Sequence, residues 1–162
     1  MRILGLDPGT AITGYGIIDI VEGEPCVVTY GVIRTEPQVP MPQRLLAIFE
    51  EIGALLNEYE PDAAAIEEVF FGRNITTAIT VGQARGVLLL ALARAGVPIE
   101  EYSPPKIKDA VTGYGKADKH QMQLMVRNLL HLEETPRPDD AADGLAVALT
   151  HYQHHRYSSL LS

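Results

Sequence analysis

The chain predicts an α/β fold: a five-stranded mixed sheet flanked by helices, with elements in the order β-β-β-α-β-α-β-α-α-α. Three observations carry that expectation. Ile3, Leu4 and Leu6 form an apolar run that stops at Asp7-Pro8-Gly9-Thr10, the signature of a strand buried on both faces and closed by a turn. Two further strand-like runs follow with short links, which makes a meander. Beyond residue 42, helical and strand periodicities alternate, as in a sheet with crossover helices.

The elements follow in order. Strands are expected at Arg2 to Leu6, Thr13 to Val21 and Cys26 to Arg34, with Gly23-Glu24-Pro25 as the turn before the third. Gly14 and Gly16 allow another backbone to approach the second strand closely. A helix begins near Pro42 and runs to Tyr59, with Leu45, Phe49, Ile52, Leu55, Leu56 and Tyr59 along one stripe. Ala63 to Val69 is a short strand ending in acid. After a helical crossover it should lie parallel to an earlier strand, and beside the first strand it would bring a carboxylate next to Asp7. Period two sends Glu67 and Glu68 to opposite faces, and periodicity does not choose between them.

Asn74 is suited to cap the next helix, which is apolar almost all round from Ile79 to Ala93. A helix without a polar face is buried on more than one side, which in so small a domain points to a homodimer. Val97 to Tyr102 gives the fifth strand, and Ser103 caps a short helix through Val111. Asp118 with Gln121 forms a capping box for a helix to about Leu130. The last helix runs from Asp139 to about Tyr157, so residues 1–157 are one domain and 158–162 a frayed tail.

Composition bounds the function. A length of 162 residues with 46% hydrophobic and 21% charged residues suits one soluble globular domain. No basic stretch leads into an apolar segment, and no apolar run is expected to span a bilayer, so a cytoplasmic protein with no membrane partner is expected. Cys26 is the single cysteine, which excludes intrachain disulfides. The net charge of −8 argues against a nucleic-acid partner until its distribution is read. Residues 73–127 carry eight basic and four acidic residues, net +4, while the remainder carries five basic and 17 acidic, net −12. An acidic protein with one basic segment can still present a phosphate-binding face, although solvated helix faces would give the same pattern.

The acids set the chemistry. Asp7 could begin a turn with its own backbone, or it could be a metal ligand if other acids converge on it. Asp140 and Asp143 are three apart at the start of the last helix and so share a face. Capping explains Asp139 well, and explains Asp143, beside Gly144, less well. Ala141, Ala142, Ala146 and Ala148 let that helix sit close to the sheet. Carboxylates gathered from two strand ends and one helix need cations, and oxygen-only ligands select Mg²⁺ or Mn²⁺. Two ions about 4 Å apart suit in-line phosphodiester displacement. His151, His154 and His155 share a helix end, where the dipole favours them, and with no third partner evident they do not make a zinc site.

Four motifs resemble the RuvC family of bacterial Holliday junction resolvases. They are Gly5-Leu6-Asp7-Pro8-Gly9-Thr10 with Thr13-Gly14-Tyr15-Gly16, Ala65-Ile66-Glu67-Glu68-Val69-Phe70, Gly82-Gln83-Ala84-Arg85-Gly86, and Asp140-Ala141-Ala142-Asp143 followed by Ala148-Leu149-Thr150-His151. The resemblance runs from Ile3 to about His151. It implies a ribonuclease H-like fold and a homodimer that works with the RuvA–RuvB branch-migration machinery. It further implies Mg²⁺-dependent cutting of two symmetry-related strands of a four-way DNA junction, leaving 5′-phosphates and 3′-hydroxyls. The catalytic and metal-binding acids it implies are Asp7, Glu67, Asp140 and Asp143, with Glu67 chosen because the family's acid follows the Ala-Ile pair. Some relatives carry His where this chain has Asp140.

The DNA contacts come from the same resemblance. Phe70 matches an aromatic that stacks on bases at the junction, and Arg73 and Asn74 lie beside it. Phe71 is left open between stacking and core. Lys106, Lys108, Lys116 and Lys119 match the basic patch, with Lys119 reaching the scissile phosphate. Arg85 could reach it too, or serve as a structural ion-pair partner. Three rival readings are an ATP-binding domain of the actin and sugar-kinase type, for which the chain is too short, a RuvC-like nuclease acting on structured RNA precursors, and a non-catalytic junction-binding module.

Overall fold

The computed structural model of the chain describes residues 1–69, 72 and 74–161. The readings of Phe70, Phe71 and Arg73 therefore lie outside the described residues. The strands are β1 (Arg2–Asp7), β2 (Ile12–Val21), β3 (Glu24–Arg34), β4 (Ala63–Glu67) and β5 (Ile99–Tyr102). The helices are α1 (Met41–Tyr59), α2 (Ile75–Arg94), α3 (Pro104–Thr112), α4 (Lys119–Leu129) and α5 (Asp139–Leu161). The sheet order is β3-β2-β1-β4-β5, with β1, β2 and β3 antiparallel and β1, β4 and β5 parallel. The central position expected for the first strand, and the parallel β1–β4 pair, are both present.

Central placement explains the continuous apolar run: Ile3, Leu4 and Leu6 are fully buried because both faces of β1 are covered. Two cores result. Leu4, Leu6, Ile17, Ala64 and Ile66 pack against Ile48, Ile52 and Leu56 of α1 and Ala84, Leu88 and Leu92 of α2. Ile3, Ile18, Ala65 and Tyr102 pack on the opposite face against α3, α4 and α5.

Glycines bring α5 unusually near the sheet. A Cβ at Gly14 would overlap the Asp140 carbonyl oxygen, and one at Gly5 would overlap the backbone of Gly144 and Ala148. A Cβ at Gly16 would stand 2.6 Å from the Leu145 side chain, and one at Gly144 2.5 Å from the Tyr15 backbone. Helix α5 thus lies directly over β1 and β2, where Asp140 and Asp143 at its N-terminal end reach the end of β1.

Several boundaries differ from expectation. β3 begins at Glu24, since Pro25 is tolerated on an edge strand that needs no second partner. β5 begins at Ile99: Pro98 has no N–H, and Val97 N–H instead closes the α2 C-terminus onto the Leu92 carbonyl at 3.0 Å. β4 stops at Glu67, and α5 continues past Tyr157 to Leu161. Helix α2 is by length and composition apolar enough to cross a membrane, contrary to the sequence expectation. It instead lies along the sheet with Ala84, Leu88, Ala91 and Leu92 buried, and its outer face leaves Ile75, Ile79 and Leu90 largely exposed.

Candidate active site

Alternation along the strands decides which carboxylates meet. On β1, Leu4 and Leu6 face the α1–α2 core, while Ile3 and Gly5 face α5. Asp7, next in the alternation, therefore faces α5. On β4, Ala64 and Ile66 face α1 and α2, whereas Ala65 faces α5. Glu67 follows Ala65 by two and joins Asp7 on the α5 face. The β1–β4 register pairs Leu6 with Ile66, so the two acids stand side by side. Glu68 turns the other way; its N–H donates to the Tyr102 carbonyl at 2.9 Å, extending the β4–β5 ladder, and it lines an adjoining cavity.

From α5 come the other two acids. Asp7, Asp140 and Asp143 each present a carboxylate oxygen, and these atoms lie within 4.8 Å of one another. Glu67 and Asp143 each come within side-chain hydrogen-bonding reach of Asp7. The Asp7 carboxyl is pushed up to about 8, chiefly by burial and then by Glu67 beside it, with Asp140 adding to the effect. Burial also lifts Asp143, to about 7, with Asp7 adding to the rise and the Lys119 ammonium opposing it. So many acids in one half-buried place cannot all ionise without a compensating cation.

The turn after Asp7 is held by other side chains. Thr13 Oγ1 donates to the Gly9 carbonyl at 2.7 Å and accepts from Gly9 N–H at 3.3 Å. Thr10 Oγ1 donates to the Thr80 carbonyl of α2 at 2.7 Å, and Thr35 Oγ1 donates to the Thr10 carbonyl at 2.6 Å. Asp7 is thereby free of turn-making and faces the acids.

Two cavities open on Asp7 and Glu67. The narrower, about 270 Å³, is also lined by Lys108, Asp118, Lys119 and Asp143. The wider, about 550 Å³, is lined by Glu68, Asn74, Thr77 and Pro104 among others. Lys119 sits at the first position of α4, behind the expected capping box: Asp118 Oδ1 accepts from Gln121 N–H at 2.9 Å, and Gln121 Oε1 accepts from Asp118 N–H at 3.0 Å. Its Nζ lies 3.9 Å from Asp143 and 3.7 Å from Asp139. The Asp139 partnership is one that sequence reasoning, which gave that residue a capping role, did not contain. Asn74 caps α2 as expected, its Oδ1 accepting from Thr77 N–H at 3.3 Å.

The remaining basic residues divide. Lys106 and Lys116 are exposed on α3 and the following loop, and line neither cavity. Of the two roles left open for Arg85, the structure displays the ion pair: its Nη2 lies 2.6 Å from Glu101, and its Nε donates to the Glu67 carbonyl at 3.5 Å. His151 Nδ1 lies 2.9 Å from the Tyr102 hydroxyl, and both side chains are buried.

The donor set suits a hard divalent cation. It is all carboxylate, three of its oxygens already share a small volume, and one side stays open to a cavity edged by lysines.

Comparison with known proteins points the same way. The family model for crossover junction endodeoxyribonuclease RuvC matches residues 3–151. A crossover junction endodeoxyribonuclease RuvC from Syntrophomonas wolfei is 55% identical over 161 residues, covering 99% of this chain and 94% of its relative. The Brevibacillus brevis enzyme of the same name is 52% identical over 160 residues, covering 99% and 96%. Among solved structures, Thermus thermophilus RuvC in complex with Holliday junction substrate superposes with a TM-score of 0.92 at 38% identity, covering 98% of this chain and 97% of that one.

Proposed function

The chain belongs to the crossover junction endodeoxyribonuclease RuvC family and is a Holliday junction resolvase with a ribonuclease H-like fold, and from that premise we propose that Asp7, Glu67, Asp140 and Asp143 are its catalytic acids. The observation that carries this reading is the convergence of Asp7, Asp140 and Asp143 within 4.8 Å, with Glu67 beside Asp7. Nucleases of this family are divalent-metal dependent. We assign the ion as Mg²⁺, which Mn²⁺ can replace, with two ions per site when DNA is bound. Such ions would activate a water and neutralise charge on the leaving oxygen.

The chain's own residues do the rest. Asp7, held at the end of a rigid central strand, and Asp143 would hold the cation in their ionised form, giving up the protons that burial favours. Lys119, adjoining Asp143, and Lys108 on the same cavity wall offset the charge of the phosphodiester. Lys106 and Lys116 extend that attraction outward, and the family resemblance assigns Phe70 to stacking on bases at the junction and Arg73 and Asn74 to further DNA contacts. Water adds to phosphorus as the bond to the 3′ oxygen breaks, and that oxygen takes up the proton, which leaves a 5′-phosphate and a 3′-hydroxyl.

We place residues 1–157 as the nuclease domain, working in the cytoplasm on four-way junction DNA with RuvA–RuvB. A homodimer formed through the outer face of α2 would cut the two symmetry-related strands. None of the relatives named above is an RNA nuclease, and the RNA-precursor reading has no support among them.

The test is cleavage of a synthetic four-way junction by Asp7→Asn and Asp143→Asn. Cutting should fall to background while junction affinity, measured without metal, stays within a small factor of the unaltered protein. Amide variants that still cut would remove these acids from the reaction.

A further inference from the structure

The sheet-facing side of α5 is gripped unevenly. It packs extensively on β1 and β2, where the glycines let the backbones meet, and only lightly on β4 and β5. The close packing accounts for Asp7, Asp140 and Asp143 sharing one small volume. Glu67 belongs to the lightly gripped side, and it stands outside that tight group of three.

One buried polar contact crosses the lightly gripped side. The Tyr102 hydroxyl, on β5, lies 2.9 Å from His151 Nδ1, on α5, and the two residues are only 4% and 9% exposed. The Tyr102 ring also meets His154, with centroids 5.7 Å apart. Tyr102 is paired with Glu67 in the parallel β4–β5 register, and its carbonyl accepts from Glu68 N–H. Side chains opposite one another in such a pair share a face, so Tyr102 stands beside Glu67 on the α5 side. Burial keeps His151 below its ordinary value, so it is the neutral ring, an acceptor at Nδ1. The phenol, pushed up to about 12 by the same cause, remains a donor. Tyr102 belongs to the same apolar core as Ile107 and Val126, and nothing about core filling requires a hydroxyl and an imidazole here. A hydrogen bond is directional where apolar packing is not, and a buried donor and acceptor cannot slide apart without loss.

We propose that Tyr102 and His151 are a positioning pair that sets Glu67, on its strand, against Asp140 and Asp143, on their helix. Neither residue touches DNA or metal; each acts through the element that carries it. This rests on the four-acid reading above, in which a cation needs all four oxygen donors in one place. Groups that orient ligands from behind commonly change metal affinity or activity by about 10–100-fold when removed.

The test compares Tyr102→Phe and His151→Leu with Ile18→Val, which thins the same core elsewhere, and with Asp7→Asn. His151→Asn supplies a rescue, because an amide oxygen can stand where Nδ1 stood. Mn²⁺ affinity is measured by calorimetry on the free protein, and junction affinity is measured without metal. Tyr102→Phe and His151→Leu should each weaken Mn²⁺ binding about tenfold with junction affinity unchanged, and His151→Asn should recover most of the loss. Ile18→Val should lower thermal stability yet leave Mn²⁺ affinity alone. If Tyr102→Phe binds Mn²⁺ like the unaltered protein while Asp7→Asn does not, the positioning role fails and the four-acid site stands. Should Ile18→Val weaken Mn²⁺ binding as much, the pair is core filling only and the role fails again. If Asp7→Asn leaves Mn²⁺ binding intact, the four-acid reading falls and the pair's role falls with it.

Discussion

Arg85 closes on Glu101 with Nη2 2.6 Å from the carboxylate, tying α2 to β5, while its Nε reaches the Glu67 carbonyl. Two of the three guanidinium nitrogens are thereby engaged within the protein. Because Glu101 is 45% exposed, solvent screens the pair, and it is worth about 1 kcal/mol or less. Arg85→Ala should lower the melting temperature by about 2–4 °C for each kcal/mol lost. Loss of a phosphate contact would instead lessen the salt dependence of junction binding by about one in slope. Titrating junction affinity against salt checks this: Arg85→Ala should leave the slope unchanged and Lys108→Ala should reduce it.

Two glycines should respond with opposite signs to alanine. At Gly14 the new methyl would overlap the Asp140 carbonyl oxygen, a backbone atom that can yield only if α5 moves. Gly14→Ala should cost about 1–3 kcal/mol or more and reduce cleavage beyond what the unfolded fraction explains. At Gly53, inside α1, nothing lies within 4 Å, so Gly53→Ala should stabilise by roughly 0.5–1 kcal/mol and leave cleavage alone. Urea unfolding with junction cleavage on the same preparations checks both.

These contrasts also show what could be read in advance. Gly14 and Gly16 announce close approach because a strand interior otherwise avoids glycine, and the alanines of α5 announce the complementary surface. Asp7 is legible because a buried run ends on it. Asp118 and Gln121 are legible because a capping box is local. Tyr102 and His151 are not: they lie 49 residues apart, and neither sits in a pattern that periodicity detects. The Arg85–Glu101 pair hides for the same reason, since α2 and β5 meet only in three dimensions. Periodicity alone leaves Glu67 and Glu68 open, and only the family resemblance chooses Glu67. The physical reason is that Ala65 lies in the α5-side core and Ile66 in the other, so Glu67, two residues beyond Ala65, takes the α5 face.

Metal and protons should compete. Asp7 and Asp143 have an ordinary value of 3.8 and are held at about 8 and about 7 in the folded protein without metal. Across that interval the folded protein keeps protons that the unfolded chain has released, so metal-free stability falls as pH rises. His151 acts oppositely: burial lowers it from 6.5, and its contribution to stability is lost as pH drops below that value. From pH 6.5 to 8 the unfolded-chain histidine loses only the last of its protons, so the two raised carboxyls outweigh it. Metal-free melting temperature should fall across that window, saturating Mg²⁺ should stabilise more at pH 8 than at pH 6.5, and Asp7→Asn should flatten the metal-free fall. A metal-free melting temperature that rises across this window would contradict the raised carboxyls.

The outer face of α2 gives the test of assembly. Ile75, Ile79 and Leu90 are 69%, 55% and 61% exposed, and Gly82 and Gly86, on the same stripe, would have open space beside a Cβ. The opposite face carries Ala84, Leu88 and Leu92 into the core, so the helix is anchored without its outer stripe. That stripe fits the homodimer proposed above, because a second copy of the same helix could lie closely across the two glycines. Ile79→Glu should then leave the fold and its melting temperature nearly intact at low concentration while converting the protein to monomers in sedimentation. On a four-way junction the monomer should nick one strand and fail to cut the symmetry-related strand in the same encounter. Should Ile79→Glu sediment as the unaltered protein does and still cut both strands together, dimerisation uses another surface.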